Sequence, residues 1–207
     1  MILVGRYDSP FVRRVAVALH HYGLPFRRRV ISTYDDFDAV LAVNPLGKVP
    51  ALELDDGTAL VDSTYILDYL DDVVGPHRSL VPPTGAARAA VQRHVAVALG
   101  LTEKSVEYRT ETMRRPPDKV VADRVARVAR QIAAALAWLE KRASAEGWLC
   151  GEAMTQADVT AAIAVTNLQH KTPDLIPVEL HPTLTAFARR CETLPPFRAA
   201  AYKAGPV

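Results

Sequence analysis

A single Asp-Gly pair does most to limit what this chain can fold into. Asp56-Gly57 lies between two short apolar runs, residues 49–54 and 58–61. Asp-Gly in that setting is a tight hairpin signal, so the two runs are expected to pair as antiparallel strands. Upstream the pattern differs. Residues 1–6 form a short apolar run, and Ser9-Pro10 then opens a helix. Ser serves as N-cap, and Pro takes the first helical position, where its missing N–H costs nothing. Val12, Val15, Ala16 and Leu19 fall at i, i+3, i+4 and i+7, giving one buried stripe. Gly23-Leu24-Pro25 ends that helix. Residues 26–31 read as a second strand, with Arg27 and Arg29 on one face and Phe26, Arg28 and Val30 on the other. A weaker helix is expected over 35–43, before the turn-forming cluster Asn44-Pro45-Leu46-Gly47. Asp62-Ser63 caps another helix, in which Ile66, Leu67 and Leu70 recur at helical spacing. A parallel crossover followed by a hairpin requires a mixed sheet with helices packed on it.

After residue 76 the strand signals stop. Gly75-Pro76-His77 and Val81-Pro82-Pro83-Thr84-Gly85 mark a linker. A long Ala/Val-rich helix is expected over 86–113, broken by Arg115-Pro116-Pro117-Asp118. Another is expected over 118–145, its apolar face made by Val121, Val125, Val128, Ile132, Ala135 and Leu139. Shorter helices should follow near 155–170, 182–193 and 195–204. The charge divides in the same place: 7 Lys/Arg against 11 Asp/Glu up to residue 76 (7 − 11 = −4), then 18 against 12 (18 − 12 = +6). The expected architecture is α/β plus all-α, with an α/β domain at 1–76 and an all-helical domain at 86–207.

Composition narrows the function. A net charge of +2 is too small to suggest a nucleic-acid or anionic-membrane partner. No apolar run approaches the roughly 20 residues that span a bilayer. The start, Met1-Ile2-Leu3-Val4-Gly5-Arg6, is charged too early for a signal peptide. The only two cysteines, Cys150 and Cys191, form no CxxC pair, which argues against a disulfide scaffold or a cysteine-based metal site. The histidines show no metal spacing, so no metal is expected. A reducing, cytoplasmic setting is the default expectation. Both cysteines sit among apolar residues and read as buried and inert. His20-His21 lies at a helix end, where the dipole explains it.

Four motifs in register resemble the glutathione S-transferase family, in particular its small bacterial members. They are Ser9-Pro10-Phe11 with Arg13-Arg14-Val15 after the first strand; Asn44-Pro45-Leu46-Gly47-Lys48-Val49-Pro50; Asp62-Ser63 opening a helix; and Gly151 with Thr155-Gln156-Ala157-Asp158 in the helical half. The resemblance covers nearly the whole chain. It implies a thioredoxin-like domain with a mixed four-stranded sheet, then a helical domain, assembled as a homodimer. It also implies glutathione as co-substrate and, as the partner molecule, a small hydrophobic electrophile.

The family register gives each residue a role beside its plain structural one. Ser9 is an adequate N-cap, worth about 1 kcal/mol. The resemblance makes it the catalytic hydroxyl beside the glutathione sulfur. A free thiol of pKa about 8.5 is only a few per cent ionised at neutral pH. Lowering that by two units takes about 2.7 kcal/mol, and a hydrogen bond to an anion supplies about 1.5–3 kcal/mol. Tyr7 is the rival hydroxyl. Relatives with Cys-Pro-x-Cys at this helix start exchange disulfides, but Ser9-Pro10-Phe11-Val12 carries no thiol. The resemblance further implies a cis Pro50, with the Val49 backbone pairing the cysteinyl part of glutathione as an added strand would. Ser63 would bind the γ-glutamyl carboxylate at a helix N-terminus and Asp62 its ammonium. Phe11 and Lys48 complete the expected glutathione contacts, and Phe11, Tyr108 and Arg109 the second-substrate pocket. Thr155-Gln156-Ala157-Asp158 is a capping box, and the structural reading suffices for it.

One departure stands out. Many family members hold the glycine carboxylate of glutathione with a Lys, His or Gln after the second strand. Here Ser32-Thr33-Tyr34-Asp35-Asp36-Phe37-Asp38 is acidic and has no base. Two other activities therefore remain open beside transfer to an electrophile. One is non-catalytic binding of glutathione or another ligand on the same scaffold. The other is glutathione-dependent reduction of peroxides or mixed disulfides.

Overall fold

The computed structural model describes residues 1–202. Its elements are β1 (Ile2–Val4), α1 (Pro10–Tyr22), β2 (Arg27–Arg29), α2 (Phe37–Leu41), β3 (Ala51–Glu53), β4 (Ala59–Val61), α3 (Ser63–Val74), α4 (Gly85–Arg109), α5 (Ala122–Glu140), α6 (Gln156–Lys171), α7 (Pro182–Glu192) and α8 (Pro195–Ala199). They gather into two units. One holds Met1–Pro83 together with the residues from Glu192 on; the other holds Thr84–Cys191.

The first unit is built on a four-stranded sheet in the order β2-β1-β3-β4. β1 and β2 are parallel, with Leu3 opposite Arg28; β1 and β3 are antiparallel, with Leu3 opposite Leu52. β3 and β4 close the expected hairpin, with Leu52 opposite Leu60. The mixed sheet thus follows from a crossover plus a hairpin. α1 starts as its sequence dictates: Ser9 is extended at the N-cap, accepts from the Val12 N–H at 3.4 Å, and Pro10 follows. It ends at Gly23, whose φ of 67° is the left-handed C-cap conformation that glycine adopts freely. The stripe Val12, Val15, Ala16 and Leu19 is fully buried, together with Leu3, Leu52, Ile66 and Leu70.

β2 departs from the expected pattern. Only Arg27–Arg29 are in the ladder, and all three are exposed, so the alternation over 26–31 yields no buried face. An edge strand need bury no side chain to keep its hydrogen bonds. Arg29 instead pairs with Glu53 at 2.8 Å, and the Arg28 guanidinium lies 3.5 Å from the centre of the Tyr7 ring.

The residues from Glu192 on are bound to α1 by a buried arginine. Arg13, 1% exposed, donates twice to the Glu192 carboxylate, at 2.8 and 2.5 Å, and once to the Ala200 carbonyl at 2.8 Å. α8 stops at Ala199, short of the expected 195–204, and residues 203–204 of that expectation lie outside the described residues.

The second unit contains no strand among its described residues. α6 packs against α4, and α4 against α5. Residues 156–168 of α6 are buried on every side, which suits a central helix of mostly small side chains. Its capping box forms as expected: Asp158 accepts from the Thr155 N–H at 2.7 Å and also from the Leu149 N–H at 2.7 Å. α4 gives way to a single π-helical turn, Thr110–Arg114, before the Pro116-Pro117 break. α5 is shorter than the expected 118–145. Val121 precedes it in extended conformation and is exposed, while Val128, Ile132, Leu136 and Leu139 make the buried face. The Glu140 carboxylate caps α7, accepting from the N–H groups of Thr183 and Leu184 at 3.0 and 2.7 Å. Among the described residues no helix is long and apolar enough to cross a membrane.

Candidate functional site

Two helix N-termini and one loop of the first unit carry the residues singled out by the sequence. At α1, the Ser9 hydroxyl accepts from Val12, which leaves its own O–H free to donate. Pro10 has no N–H, and the Phe11 N–H lies in the first turn, where helices lack an internal acceptor. The partial positive charge of the helix end lies there too. Ser9 and Phe11 are both half-buried. Tyr7 differs: its ring is 5% exposed and covered by Arg28. Burial raises its phenol above the ordinary value of 10, against an opposing pull from Arg28.

The loop before β3 passes close to α1. The Val49–Pro50 peptide is cis, and Val49 stands two positions before the first paired residue of β3, Ala51. Its N–H and C=O therefore lie outside the ladder. Gly5 makes this approach possible. It sits at φ 123°, and a Cβ there would stand 2.6 Å from Val12 Cγ2 and 3.0 Å from Val49 Cβ. Any larger residue would force the loop and the helix apart. Asn44 braces the turn beneath, donating to the Lys48 carbonyl at 2.8 Å and accepting from the Leu46 N–H at 3.0 Å. The Lys48 ammonium itself is exposed.

At α3 the arrangement is more elaborate than a helix cap requires. Asp62, the N-cap, accepts from the Thr64 N–H at 2.7 Å and holds a left-handed φ of 27°, a conformation that costs an L-residue energy. The N–H groups of Ser63 and Tyr65 fall in the first turn, where they lack helical acceptors. Ser63 is buried, and beneath it lies Arg14, whose Nη1 donates to the Ser63 hydroxyl oxygen at 3.3 Å. Arg14 is 2% exposed, and its Nε makes no hydrogen bond. Burial pulls its pKa down to about 10, with Asp62 pulling it back up, so it stays cationic at neutral pH.

Together these groups form a charge pattern. A buried guanidinium, a hydroxyl whose proton is left to donate, and free N–H groups gather at this helix end; an exposed carboxylate stands one residue earlier. Such a pair matches the carboxylate and ammonium of an α-amino acid. The sequence reading included Arg14 in a motif but gave it no role. Nothing local marks it, because its partner is 49 residues away.

Four further residues belong to the second unit. Tyr108 and Arg109 lie in the last turn of α4, both half-buried, with Arg109 donating to the Ser105 carbonyl at 3.4 Å. Cys150 is half-exposed rather than buried, and its sulfur lies 3.3 Å from His94 Nδ1. The loop before α6 brings it there. Desolvation, and then Asp158, push its thiol up to about 11, so it is little ionised at neutral pH. Cys191 is fully buried, as expected. Among the described residues no three His, Cys, Asp or Glu side chains gather as metal ligands would.

Comparison with known proteins agrees with this geometry. Residues 3–77 match the family model of the glutathione S-transferase N-terminal domain, and residues 101–195 that of the C-terminal domain. The chain is 29% identical over 171 residues to the uncharacterized GST-like protein YibF of Escherichia coli, covering 83% of each chain. Two crystal structures share its fold over nearly their whole length. A glutathione S-transferase from Methylobacterium radiotolerans, in complex with glutathione sulfonate, is 29% identical at a TM-score of 0.92, covering 100% of this chain and 96% of that one. A glutathione transferase family member from Pseudomonas fluorescens, with bound glutathione, is 34% identical at a TM-score of 0.86, covering 98% and 99%. The thioredoxin-like sheet, the helical half and these matches together establish that the chain belongs to the glutathione S-transferase family.

Proposed function

We propose that this protein binds glutathione in its first unit and activates the thiolate for attack on a small hydrophobic electrophile. One observation carries the reading: the paired charges at α3, with Arg14 and Ser63 on one side and Asp62 on the other. Only the γ-glutamyl end of glutathione offers a free carboxylate and a free ammonium on one carbon. The carboxylate takes the Ser63 hydroxyl and N–H above the buried guanidinium, and the ammonium takes Asp62. The bound glutathione in the Pseudomonas fluorescens relative supports the same ligand here.

The rest of the tripeptide follows from that anchor. Its cysteinyl backbone pairs with the free N–H and C=O of Val49, beside Lys48, and its sulfur reaches the N-terminus of α1. Ser9 donates to the sulfur, and the helix end favours the thiolate over the thiol. The proton leaves to solvent, and the sulfur then attacks the electrophilic carbon while that carbon's leaving group departs or its π bond takes up the electron pair. Holding both reactants in place supplies much of the rate gain. Phe11 offers an apolar surface at the thiol. We further propose that the protein works as a cytoplasmic homodimer in detoxification.

Calorimetric titration tests the anchor first. Glutathione is expected to bind with a Kd between about 1 μM and a few mM, and Ser63→Ala to weaken it. Turnover of an aryl halide would then support the transferase reaction; turnover of an organic hydroperoxide alone would favour the peroxidase alternative. Absence of both with glutathione bound would leave a binding protein.

A further inference from the structure

Between α2 and β3 the chain exposes Pro45, Leu46 and Lys48, so burial alone does not fix the shape of the turn. One buried amide does. Asn44 is 2% exposed, and its backbone is tied on both sides: its N–H donates to the Val40 carbonyl at 2.8 Å, and its carbonyl accepts from the Gly47 N–H at 2.9 Å. Val40 lies fully buried in α2, which gives the residue a firm base. From there the side chain spans the turn. Its Oδ1 accepts from the Leu46 N–H at 3.0 Å, and its Nδ2 donates to the Lys48 carbonyl at 2.8 Å.

The second of these bonds reaches beyond the turn. The Lys48 carbonyl and the Val49 N–H belong to one peptide unit, and that unit is trans, unlike the Val49–Pro50 bond after it. A trans unit is planar, with its C=O and N–H pointing opposite ways. Holding the carbonyl on the Asn44 amide therefore turns the Val49 N–H away from that amide. Packing of Val49 beside Gly5 cannot do this, because a peptide plane can turn about its two flanking single bonds while the side chains it joins stay in place.

Resting on the glutathione reading, we infer that Asn44 is a positioning residue for the tripeptide: through the Lys48 carbonyl it aims the Val49 N–H at the cysteinyl carbonyl of the ligand. Asn44 itself touches no ligand atom. Its contribution is a donor oriented before the ligand arrives, so that binding does not have to order it.

The test follows single amides by NMR solvent exchange, with and without saturating glutathione, in the wild type, Asn44→Ala and Asn44→Asp. The aspartate carboxylate keeps the acceptor for Leu46 and loses the donor for Lys48, so it carries the test if the alanine variant does not fold. In the wild type, glutathione is expected to slow exchange at both Val49 and Ser63 by at least about tenfold. In the variants Ser63 should slow as before, and Val49 by less than about threefold. Affinity should fall about threefold to tenfold, the worth of one hydrogen bond. A Val49 amide that glutathione leaves unslowed in the wild type, or slows equally in the variants, would overturn the inference while the Ser63 anchor stands. Protection lost at Val49 and Ser63 alike, with a lowered Tm, would also overturn it and make Asn44 a structural brace only. If glutathione slows neither amide in the wild type, the glutathione reading itself fails.

Discussion

The Arg14 guanidinium donates to the Ser63 hydroxyl at 3.3 Å, and neither residue exposes more than 2% of its surface. The bond spends the oxygen's acceptor capacity on the protein and leaves its proton for a ligand anion. The charge reinforces this, because a cation in a low-dielectric interior acts on a nearby carboxylate far more strongly than one in water. Arg14→Met, close in volume and uncharged, is expected to fold, since the partner it leaves is the neutral Ser63 hydroxyl and not a buried charge. Its affinity for glutathione should fall at least about tenfold, or about 1.4 kcal/mol. Calorimetry against thermal unfolding separates the two effects: a lost Tm with unchanged affinity would make Arg14 purely structural.

Ser9 and Tyr7 can be told apart by pH. If Ser9 holds the thiolate, Ser9→Ala should raise the apparent pKa of the rate by about one to two units, matching the loss of an anion hydrogen bond of about 1.5–3 kcal/mol. The lost cap should also cost about 1 kcal/mol of stability. Tyr7→Phe, under Arg28, should leave that pKa in place. The reverse pattern in the two pH–rate profiles would transfer the role to Tyr7.

Gly5→Ala should damage fold and site together. Its Cβ would press on Val12 and Val49 at a φ that only glycine adopts freely. A loss of about 2 kcal/mol or more in chemical denaturation is expected from overpacking and backbone strain. Glutathione affinity should fall in the same variant, because Val49 is the residue displaced.

Arg13→Met should loosen the residues from Glu192 on. It removes the buried donor of two hydrogen bonds to Glu192 and one to the Ala200 carbonyl. Removing one partner of a buried pair costs about 3–5 kcal/mol, and the partly exposed Glu192 places the expected loss at the lower end. Hydrogen exchange should report faster opening of 192–202, with the amides of β3 little changed.

His20 gives the fold a pH dependence of known sign. Its ring stacks edge-on to Phe26 at 5.0 Å, and burial, then Arg28, hold its pKa below 6.5. Between those two values the unfolded chain binds more protons than the folded one, so stability rises with pH up to about 6.5 and is lost as pH falls through the folded value. His20→Gln should flatten the Tm–pH curve in that window and leave it unchanged above pH 7.

Much of the site's frame was legible because it is local. Ser9-Pro10, Asp56-Gly57 and Asp62-Ser63 each act over three or four residues, and each formed as read. What escaped was decided by partners distant in sequence. Arg14 meets Ser63 across 49 positions, and Arg13 meets Glu192 across 179. Two adjacent arginines inside an otherwise apolar helix look like a solvated face until the structure gives them partners. Cys150 escaped for a related reason: its partial exposure and its contact with His94, 56 positions away, are set by the tertiary fold. The ends of α5 were misjudged because Val121 continues the apolar spacing while the chain after Pro116-Pro117 is still extended.

The edge of the sheet has a consequence for assembly. β2 offers open backbone groups to any second strand that could lie beside them, and an open edge invites indefinite stacking of copies. Its residues Arg27, Arg28 and Arg29 are all exposed and all cationic. A second copy approaching edge to edge would set like charges against like, at a spacing of about 5 Å between strands. The three arginines thus act as a gatekeeper against pairing of β2 with the β2 of a second copy.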